Sequence, residues 1–354
     1  MSSPAESTHR RLESALAKTW PGSKPQRIVA LKGDASTRRF WRVAIDAAAT
    51  APATAILVDL GPDDLPLYAR ALNLYREPLA EPPWLNVHRF LESIGAPVAA
   101  LYAAAPRERL LLIEDLGENS LFAAAAADPA DAADLYRAAV GELLRLHVEG
   151  TARRGNHCVA FSVAYDQRLF GWELERFIEA GLREVAPGAD PEPFRHEVAA
   201  LAARLGQSPR VFSHRDYHGH NLFVQDPGSG PIIRMIDFQD ALMAPAAQDL
   251  AVLLTTRDTA RIITPAIEDR LLLYYLAGLA RRHVPTPGRT YFLEDYRLCV
   301  IQHALKMIGA FTRLEREGRG GYAQFIPHCV AQARRMLARG PGYPLLKAAF
   351  GAAS

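Results

Sequence analysis

The sequence contains few cysteines and no long apolar run. Its three cysteines, Cys158, Cys299 and Cys329, are odd in number and far apart, so they form neither a disulfide framework nor a cysteine-based zinc site. The first residues lack the apolar segment of a signal peptide, and no stretch of about 18 uncharged apolar residues occurs anywhere. We therefore expect a soluble, cytoplasmic protein with no membrane partner.

The sequence has almost equal numbers of positively and negatively charged residues. Lysine plus arginine number 41 and aspartate plus glutamate 39, which gives a formal net charge of +2. So small an excess attracts nucleic acid weakly, and we expect no nucleic-acid partner. Hydrophobic residues make up 49% and charged residues 23%, which supports a buried core and argues against a disordered chain. A length of 354 residues suggests two domains, or one domain with two lobes.

Lysine is also scarce. It occurs only at positions 18, 24, 32, 306 and 347, so none lies between Lys32 and Lys306. Arginine is therefore the permanently charged cation of this long central stretch.

The pattern of apolar residues changes near residue 115, from alternation typical of strands to spacing typical of helices. We therefore expect an α+β protein whose two lobes comprise residues 1–115 and 116–354. The elements predicted for the first lobe are helices over 4–19 and 86–95, a β-hairpin over 28–45, and strands over 55–60, 97–103 and 109–114. Those predicted for the second are helices over 119–150, 169–182 and 193–205, strands over 210–213, 221–225 and 232–237, and mostly helix over 246–339.

One segment of the second lobe carries the pattern of a catalytic centre. Asp216 lies in a loop before a short strand that Asn221 opens, and Asp237 closes the next strand. Amide and carboxylate oxygens such as those of Asn221 and Asp237 suit Mg²⁺ when nucleotide phosphates and water supply the remaining ligands. Asp216 is then available to accept a hydroxyl proton. The spacing H-R-D-x-x-x-x-N, followed by a metal-binding aspartate, is typical of phosphoryl transfer.

The histidines of this segment offer a second interpretation. His214, His218 and His220, together with Asp216 and Asp237, could form the transition-metal cluster of a hydrolase. No H-E-x-x-H pair presents them on a helix, however. We expect His214 to be structural, with its ring bonded to backbone, and His218 and His220 to lie in the substrate pocket or at the surface.

Several segments resemble a known family. SHRDYHGHNL and MIDFQDALMAPAAQDLAVLL are similar to the catalytic motifs of aminoglycoside phosphotransferase-like kinases. GDASTRRFWRV, LLIEDLG and DFQDA are similar, more narrowly, to bacterial cell-wall-recycling sugar kinases, which phosphorylate the anomeric hydroxyl of N-acetylmuramate and N-acetylglucosamine. The resemblance implies a protein-kinase-like fold of two lobes, with ATP as co-substrate and Mg²⁺ as cofactor.

The resemblance also implies roles for single residues. Asp216 matches the catalytic base, and Asn221 and Asp237 match the Mg²⁺ ligands. Asp249 matches an acid that braces the catalytic loop. The stretch from Glu114 to Leu116 matches the linker whose backbone hydrogen-bonds a purine.

A further group of residues is expected near the acceptor sugar. Glu173 matches a helix-borne acid near the sugar in similar kinases, and Trp172 beside it either stacks on the sugar or packs in the core. Gln239 and Asp240 follow the metal-binding aspartate, and they either touch the sugar or cap a turn. His218 is the fifth candidate for the acceptor site.

The phosphate-binding end departs from the usual kinase pattern. The segment GDAST holds one glycine rather than three, so backbone donors must come from a turn that includes Ser36 and Thr37. The third strand lacks the usual lysine. Lys32, Arg39 or Arg42 could approach the phosphates instead, since a guanidinium clamps phosphate oxygens well.

The sequence thus predicts an enzyme that transfers the γ-phosphoryl group of ATP to a sugar hydroxyl. Two alternatives remain beside the hydrolase: an aminoglycoside or other small-alcohol kinase and, because the lysine is missing, a nucleotide-binding pseudokinase. The sequence does not distinguish the acceptor sugars, ATP from GTP, or the oligomeric states.

Overall fold

The computed structural model describes residues 4–31, 38–46, 51–61, 65, 67–75, 79–155, 157–226, 228, 230–257, 259–284 and 288–352. In this part of the chain, a five-stranded sheet lies near the amino terminus and helices dominate the remainder. The predicted two-lobed α+β architecture is therefore confirmed. We call the residues up to Glu114 the N-lobe and those after it the C-lobe.

The N-lobe is an antiparallel sheet with helices on both sides. Its elements are α1 (Pro4–Thr19), β1 (Lys24–Leu31), β2 (Arg39–Asp46), β3 (Thr54–Asp59), α2 (Leu67–Ala71), α3 (Pro83–Ser93), β4 (Leu101–Ala105) and β5 (Leu110–Glu114). The strand order is β1-β2-β3-β5-β4. The strand predicted over 97–103 begins only at Leu101, because Pro97 and Val98 pair with the C-lobe instead: the Met235 N–H donates to the Pro97 carbonyl at 2.9 Å.

The two faces of the sheet have different neighbours. Side chains alternate along a strand, so Trp41 and Val43 of β2 face α1, where they form a small cluster with Leu16. Phe40 and Arg42 face the other way, toward the C-lobe. The even-numbered residues of β2 therefore look into the space between the lobes.

The C-lobe is mainly helical. Its elements are α4 (Leu121–Ala127), α5 (Ala132–Ala152), α6 (Gln167–Arg176), α7 (Leu182–Val185), α8 (Pro191–Gly206), β6 (Arg210–Ser213), β7 (Leu222–Gln225), β8 (Ile232–Met235), β9 (Leu242–Pro245), α9 (Ala246–Thr255), α10 (Pro265–Arg281), α11 (Arg289–Arg316), α12 (Ile326–Ala338) and α13 (Pro344–Ala349). The helix predicted over 119–150 is divided into α4 and α5, with Pro129 between them. The one predicted over 169–182 continues beyond α6 as a π-helical turn, Phe177–Gly181.

Two short antiparallel strand pairs of the C-lobe position the predicted catalytic residues. β7 pairs with β8, and β6 pairs with β9. The strand β9 was not predicted from the sequence. β9 is four residues long and buried throughout. It leads directly into α9 and so brings Asp249 under the loop that follows β6.

One hydrophobic core crosses the lobe boundary. Val58 and Leu111 on the inner face of the N-lobe sheet belong to the same buried cluster as Leu143 of α5 and Leu305 of α11. The three cysteines are free thiols, and all of them are buried in the C-lobe. None of the described helices is both long and apolar enough to span a membrane.

Candidate active site

The loop between β6 and β7 is held from below by one buried carboxylate. Asp249 accepts hydrogen bonds from the backbone N–H of His214 at 3.0 Å and of Arg215 at 2.8 Å, and it lies 2.9 Å from His147 Nε2. Burial raises the pKa of Asp249, but the hydrogen bond to His147 and the electrostatic effect of His147 and His214 outweigh burial, so the pKa is lowered. Arg215 has a left-handed backbone, φ +74°, a strained conformation that these bonds maintain.

The two predicted metal ligands lie side by side. Asn221 Nδ2 is 3.4 Å from Asp237 Oδ2 and donates to the Asp216 carbonyl at 3.0 Å. Asp237 is also left-handed, with φ +63°. The bond from the Ile236 N–H to the Asn221 carbonyl, 3.0 Å, ties the end of β8 to the start of β7. The predicted convergence of Asn221 and Asp237 is therefore present in the fold.

Asp216 is connected to this pair through its backbone, since its carbonyl accepts the bond from Asn221 Nδ2. It is half-buried, and its carbonyl also accepts from the His218 N–H at 3.0 Å. Its negative charge acts on Tyr68, Arg215 and His218.

A cleft of about 370 Å³ separates β2 from the loop between β6 and β7. Phe40, Ile113 and Phe223 give it apolar walls, while Asn221 and Asp237 line it as polar groups. Glu114 and Leu116, predicted to face the purine, line it as well. A larger groove of about 930 Å³ runs between α1 and β4, on the other face of the sheet, and holds none of the predicted site residues.

The basic residues predicted for the phosphates are distributed differently from expectation. Arg39 lies on the α1 side of the sheet, where its guanidinium pairs with Asp59 at 2.8 Å and lies over Trp41, so the structure does not bring it to the cleft. Arg38 lines the cleft instead and contacts Asp237 Oδ1 at 3.0 Å. The alternation of β2 is the signal that would have identified it. Lys32, Ser36 and Thr37 are outside the described residues.

Arg42 lines the cleft but is fully engaged by the linker. Its Nε and Nη2 bond both carboxylate oxygens of Asp115, at 2.7 and 3.1 Å, and Nη1 bonds Glu118 at 2.7 Å. Nη2 also donates to the Gly117 carbonyl at 3.0 Å. The hydrogen bond with Asp115 raises the pKa of Arg42 despite partial burial. Arg42 thus clasps β2 to the linker.

Glu114 joins the lobes through its side chain. Its carboxylate pairs with Arg234 of β8 at 2.5 Å and accepts from the Ala100 N–H at 3.0 Å. Arg234 also donates to the Val98 carbonyl at 2.7 Å. Sequence reasoning did not predict this ion pair, because its partners are 120 residues apart.

Glu173, predicted to lie near the sugar, supports the loop between β6 and β7 through its contact with Arg215 in this structure. Its carboxylate is only 2% exposed and contacts Arg215 at 2.9 Å and Lys306 at 3.4 Å. Gln302 donates to it at 2.8 Å, and Tyr165 also hydrogen-bonds it. No carboxylate oxygen is thereby left for a sugar. The guanidinium of Arg176 lies over the ring of the neighbouring Trp172, 4.2 Å from the ring centroid, and forms a cation–π contact with it.

The residues after Asp237 form a small polar surface near Tyr68. Gln239 Nε2 bridges Asp237 Oδ1 and Asp240 Oδ2, at 3.1 and 3.2 Å, and the Tyr68 hydroxyl lies 3.4 Å from Asp240 Oδ1. Gln239 and Asp240 are half-buried. The Tyr68 ring also lies 3.7 Å from the Arg215 guanidinium.

The histidines have separate environments. His214 Nε2 bonds the Ile236 carbonyl at 3.0 Å, the backbone contact predicted for it. His218 Nε2 lies 3.2 Å from Asn221 Nδ2, and burial lowers the pKa of His218 to about 4. The ring of His220 packs against that of Phe122 in a tilted arrangement, with 4.6 Å between the ring centroids. Among the described residues, no three histidine, cysteine, aspartate or glutamate side chains are grouped to hold a metal ion.

The phosphotransferase enzyme family is the class that this fold and site define. The model of that family matches residues 27–293 of the 354. Because the match covers well over half of the chain, the protein belongs to this family, and the predicted family resemblance is confirmed.

Two relatives narrow the comparison. The chain is 32% identical to an N-acetylmuramate/N-acetylglucosamine kinase of Caulobacter vibrioides over 251 residues, which are 69% of this chain and 65% of that protein. It is 25% identical to a kinase of the same description from Pseudomonas aeruginosa over 334 residues, covering 93% and 89% of the two chains.

The fold has solved counterparts. The choline kinase LicA from Streptococcus pneumoniae superposes with a TM-score of 0.59 at 14% identity, over 94% of this chain and 98% of that one. At this identity the likeness concerns the fold alone, and it confirms the kinase-like architecture.

Proposed function

We propose that this protein is an ATP-dependent kinase that transfers the γ-phosphoryl group to a hydroxyl of an amino sugar. One observation carries the proposal: Asn221 and Asp237 lie 3.4 Å apart in a cleft that the linker residues Glu114 and Leu116 also line. A purine against the linker would direct its phosphates toward this pair. Asp216 lies beside the pair, where an acceptor hydroxyl can approach from the side of Tyr68.

The residues present fit a divalent cation. Asn221 uses its amide nitrogen on the Asp216 carbonyl, which leaves the carboxamide oxygen to act as a ligand next to the Asp237 carboxylate. Mg²⁺ commonly takes one or two such oxygens from the protein and the remainder from phosphates and water. When bound, it would neutralise the charge that develops on the transferred phosphate.

Asp216 acts as the base in this proposal. Its carboxylate orients the acceptor hydroxyl and accepts its proton as the oxygen bonds to phosphorus. The loop that carries it is fixed by Asp249 and by the ion pair of Arg215 with Glu173, so the carboxylate is positioned before the substrates arrive. Positioning and electrostatics supply most of the rate in phosphoryl transfer.

The acceptor we propose is the anomeric hydroxyl of N-acetylmuramate or N-acetylglucosamine. The descriptions of the two kinase relatives support this choice of sugars. Tyr68, Gln239 and Asp240 would bond its polar groups. We place the reaction in cell-wall recycling in the cytoplasm, where ATP is available and free thiols such as these three persist.

An acceptor screen tests the function. The protein is incubated with Mg·ATP and N-acetylmuramate, N-acetylglucosamine, an aminoglycoside, choline or ethanolamine, and the new phosphate is located by ³¹P and ¹H NMR. We expect phosphate on the anomeric oxygen of the two amino sugars. Asp216→Asn should lower kcat by about 10²- to 10⁴-fold, since the base is lost, while Mg·ADP affinity stays unchanged.

The other outcomes separate the alternatives. Turnover of the aminoglycoside or of choline alone would overturn the sugar assignment. Tight nucleotide binding without phosphate transfer to any acceptor would indicate a pseudokinase. Wild-type turnover by Asp216→Asn would remove Asp216 from the role of base.

A further inference from the structure

We propose that Arg38 anchors the nucleotide phosphates, and that it exchanges Asp237 for them when the metal–nucleotide complex binds. The inference rests on the proposed kinase function and identifies the residue that replaces the missing third-strand lysine.

Arg38 lines the cleft and forms an ion pair with Asp237, one of the two proposed metal ligands. It precedes β2 and has the same parity as Phe40 and Arg42, so its side chain lies on the cleft side of the sheet. Its guanidinium is 3.0 Å from Asp237 Oδ1, and the side chain is 17% exposed. A largely buried arginine on a metal-binding carboxylate is already within reach of any phosphate that this metal would carry.

The neighbouring cations are committed elsewhere. Arg42 is bonded by Asp115, Glu118 and the Gly117 carbonyl. Arg39 lies on the opposite face of the sheet with Asp59. On β3, where a kinase lysine would stand, the cleft is lined by Ile56. Asp59 follows later on that strand and pairs toward α1.

The charges explain why the pair would exchange partners. Without nucleotide, Arg38 compensates Asp237, and a bare cation that approaches the carboxylate is repelled by the guanidinium at 3.0 Å. A metal–nucleotide complex brings both signs, so the carboxylate bonds the cation while the guanidinium bonds phosphate oxygens. The pair therefore favours the complex over either component alone.

Arg38→Gln should change the affinities for Mg·ADP and for free Mn²⁺ in opposite directions. Mg·ADP affinity, measured by calorimetry, should fall by about 10- to 100-fold because a charge-assisted phosphate contact is lost. Mn²⁺ affinity without nucleotide, measured by electron paramagnetic resonance, should rise because Asp237 is no longer compensated. A purely structural defect would lower both affinities.

Arg39→Gln is the matched control, since it removes the adjacent guanidinium on the other face and should leave both affinities unchanged. Arg38→Lys keeps the positive charge. If loss of that charge is what weakens nucleotide binding in Arg38→Gln, the lysine variant should bind Mg·ADP more tightly than the glutamine variant. Unchanged Mg·ADP affinity in Arg38→Gln, or unchanged or weaker Mn²⁺ binding, would overturn the inference and leave the kinase function standing. Failure of the wild-type protein to bind nucleotide would instead refute the proposed function.

Discussion

The buried carboxylate of Glu173 connects the catalytic loop to the helices behind it. Burial alone would raise the pKa of this group, but Lys306 and Arg215, with hydrogen bonds from Tyr165 and Arg215, outweigh burial and lower the pKa to about 2. Glu173 is therefore ionised in the folded protein. In return, the anion holds Arg215, the residue next to Asp216, in its strained conformation.

Glu173→Gln should destabilise the protein in a pH-dependent manner. A carboxylate with a lowered pKa contributes its full stability above its ordinary value of 4.5, and loses it as pH falls from there toward about 2. The free energy of unfolding of the variant, measured with urea, should be lower than that of wild type by roughly 3 kcal/mol near pH 7. The difference should narrow as the pH falls below about 4.5.

Glu175→Gln on the same helix is the control. Glu175 forms a surface pair with Arg195 at 2.9 Å and is 39% exposed, so its loss should cost less than about 1 kcal/mol. A difference for Glu173→Gln that stays constant between pH 7 and pH 3 would show that its ionisation does not stabilise the fold.

At the scale of residues, local spacing identified one part of the site and could not identify the other. Asn221 and Asp237 were predicted because each stands at a strand end, and the hairpin of β7 and β8 does bring them together. Arg38 could have been predicted from strand alternation. Lys306, by contrast, reaches Glu173 from a helix 133 positions later, and no local pattern indicates such a contact.

The linker between the lobes is fixed on both of its sides. Arg42 clasps it to β2, and Glu114 at the end of β5 pairs with Arg234 on β8. Pro97 and Val98 add a backbone connection to β8. The cleft is therefore bounded by elements that are bonded to one another across the lobes.

Arg234→Gln should loosen this connection. The substitution leaves the partly buried Glu114 without its cation and removes the bond to the Val98 carbonyl, at an expected cost of about 1–3 kcal/mol in unfolding free energy. Mg·ADP affinity should fall as well, because the purine-facing linker loses its support. Both quantities can be measured by urea titration and calorimetry.

Arg89→Gln provides the comparison. Arg89 pairs with Glu81 in the N-lobe but is 68% exposed, so we expect almost no effect on either quantity. Equal stability of the two variants would mean that the pair of Arg234 with Glu114 does not hold the lobes together.

Among the elements, the strongly patterned ones were predicted and the short buried ones were not. Helix 193–205 corresponds to α8, and the hairpin strands correspond to β1 and β2. β9 was missed because four buried residues without alternation resemble a loop or the start of a helix. Its pairing with β6 nevertheless positions α9 and Asp249.

At the scale of the whole molecule, the larger of the two buried clusters is shared by both lobes. Trp84 and Phe90 of α3, in the N-lobe, lie 5.2 Å from Phe238 and 5.0 Å from Phe212 of the C-lobe, measured between ring centroids. The inner face of the sheet joins the same buried cluster. The larger buried cluster therefore continues across the boundary near residue 115.

A fragment comprising residues 1–115 should not fold on its own. Its inner sheet face and the buried side of α3 would be exposed to water, and apolar burial of this kind is the main source of stability. Circular dichroism and a ¹H–¹⁵N NMR spectrum of the fragment should show an unfolded or aggregated chain, whereas the full chain should unfold in one transition. A dispersed spectrum with cooperative melting of the fragment would contradict this expectation.

The buried thiols of the C-lobe offer an intrinsic chemical reporter. Burial raises the pKa of Cys158 to about 11 and that of Cys329 to about 12, and raises that of Cys299 well above its ordinary value. Only the thiolate attacks alkylating reagents, so the native chain should resist iodoacetamide at neutral pH. The rate at which these thiols are alkylated under native conditions would then report how often the helical lobe opens, with no dye or engineered residue added.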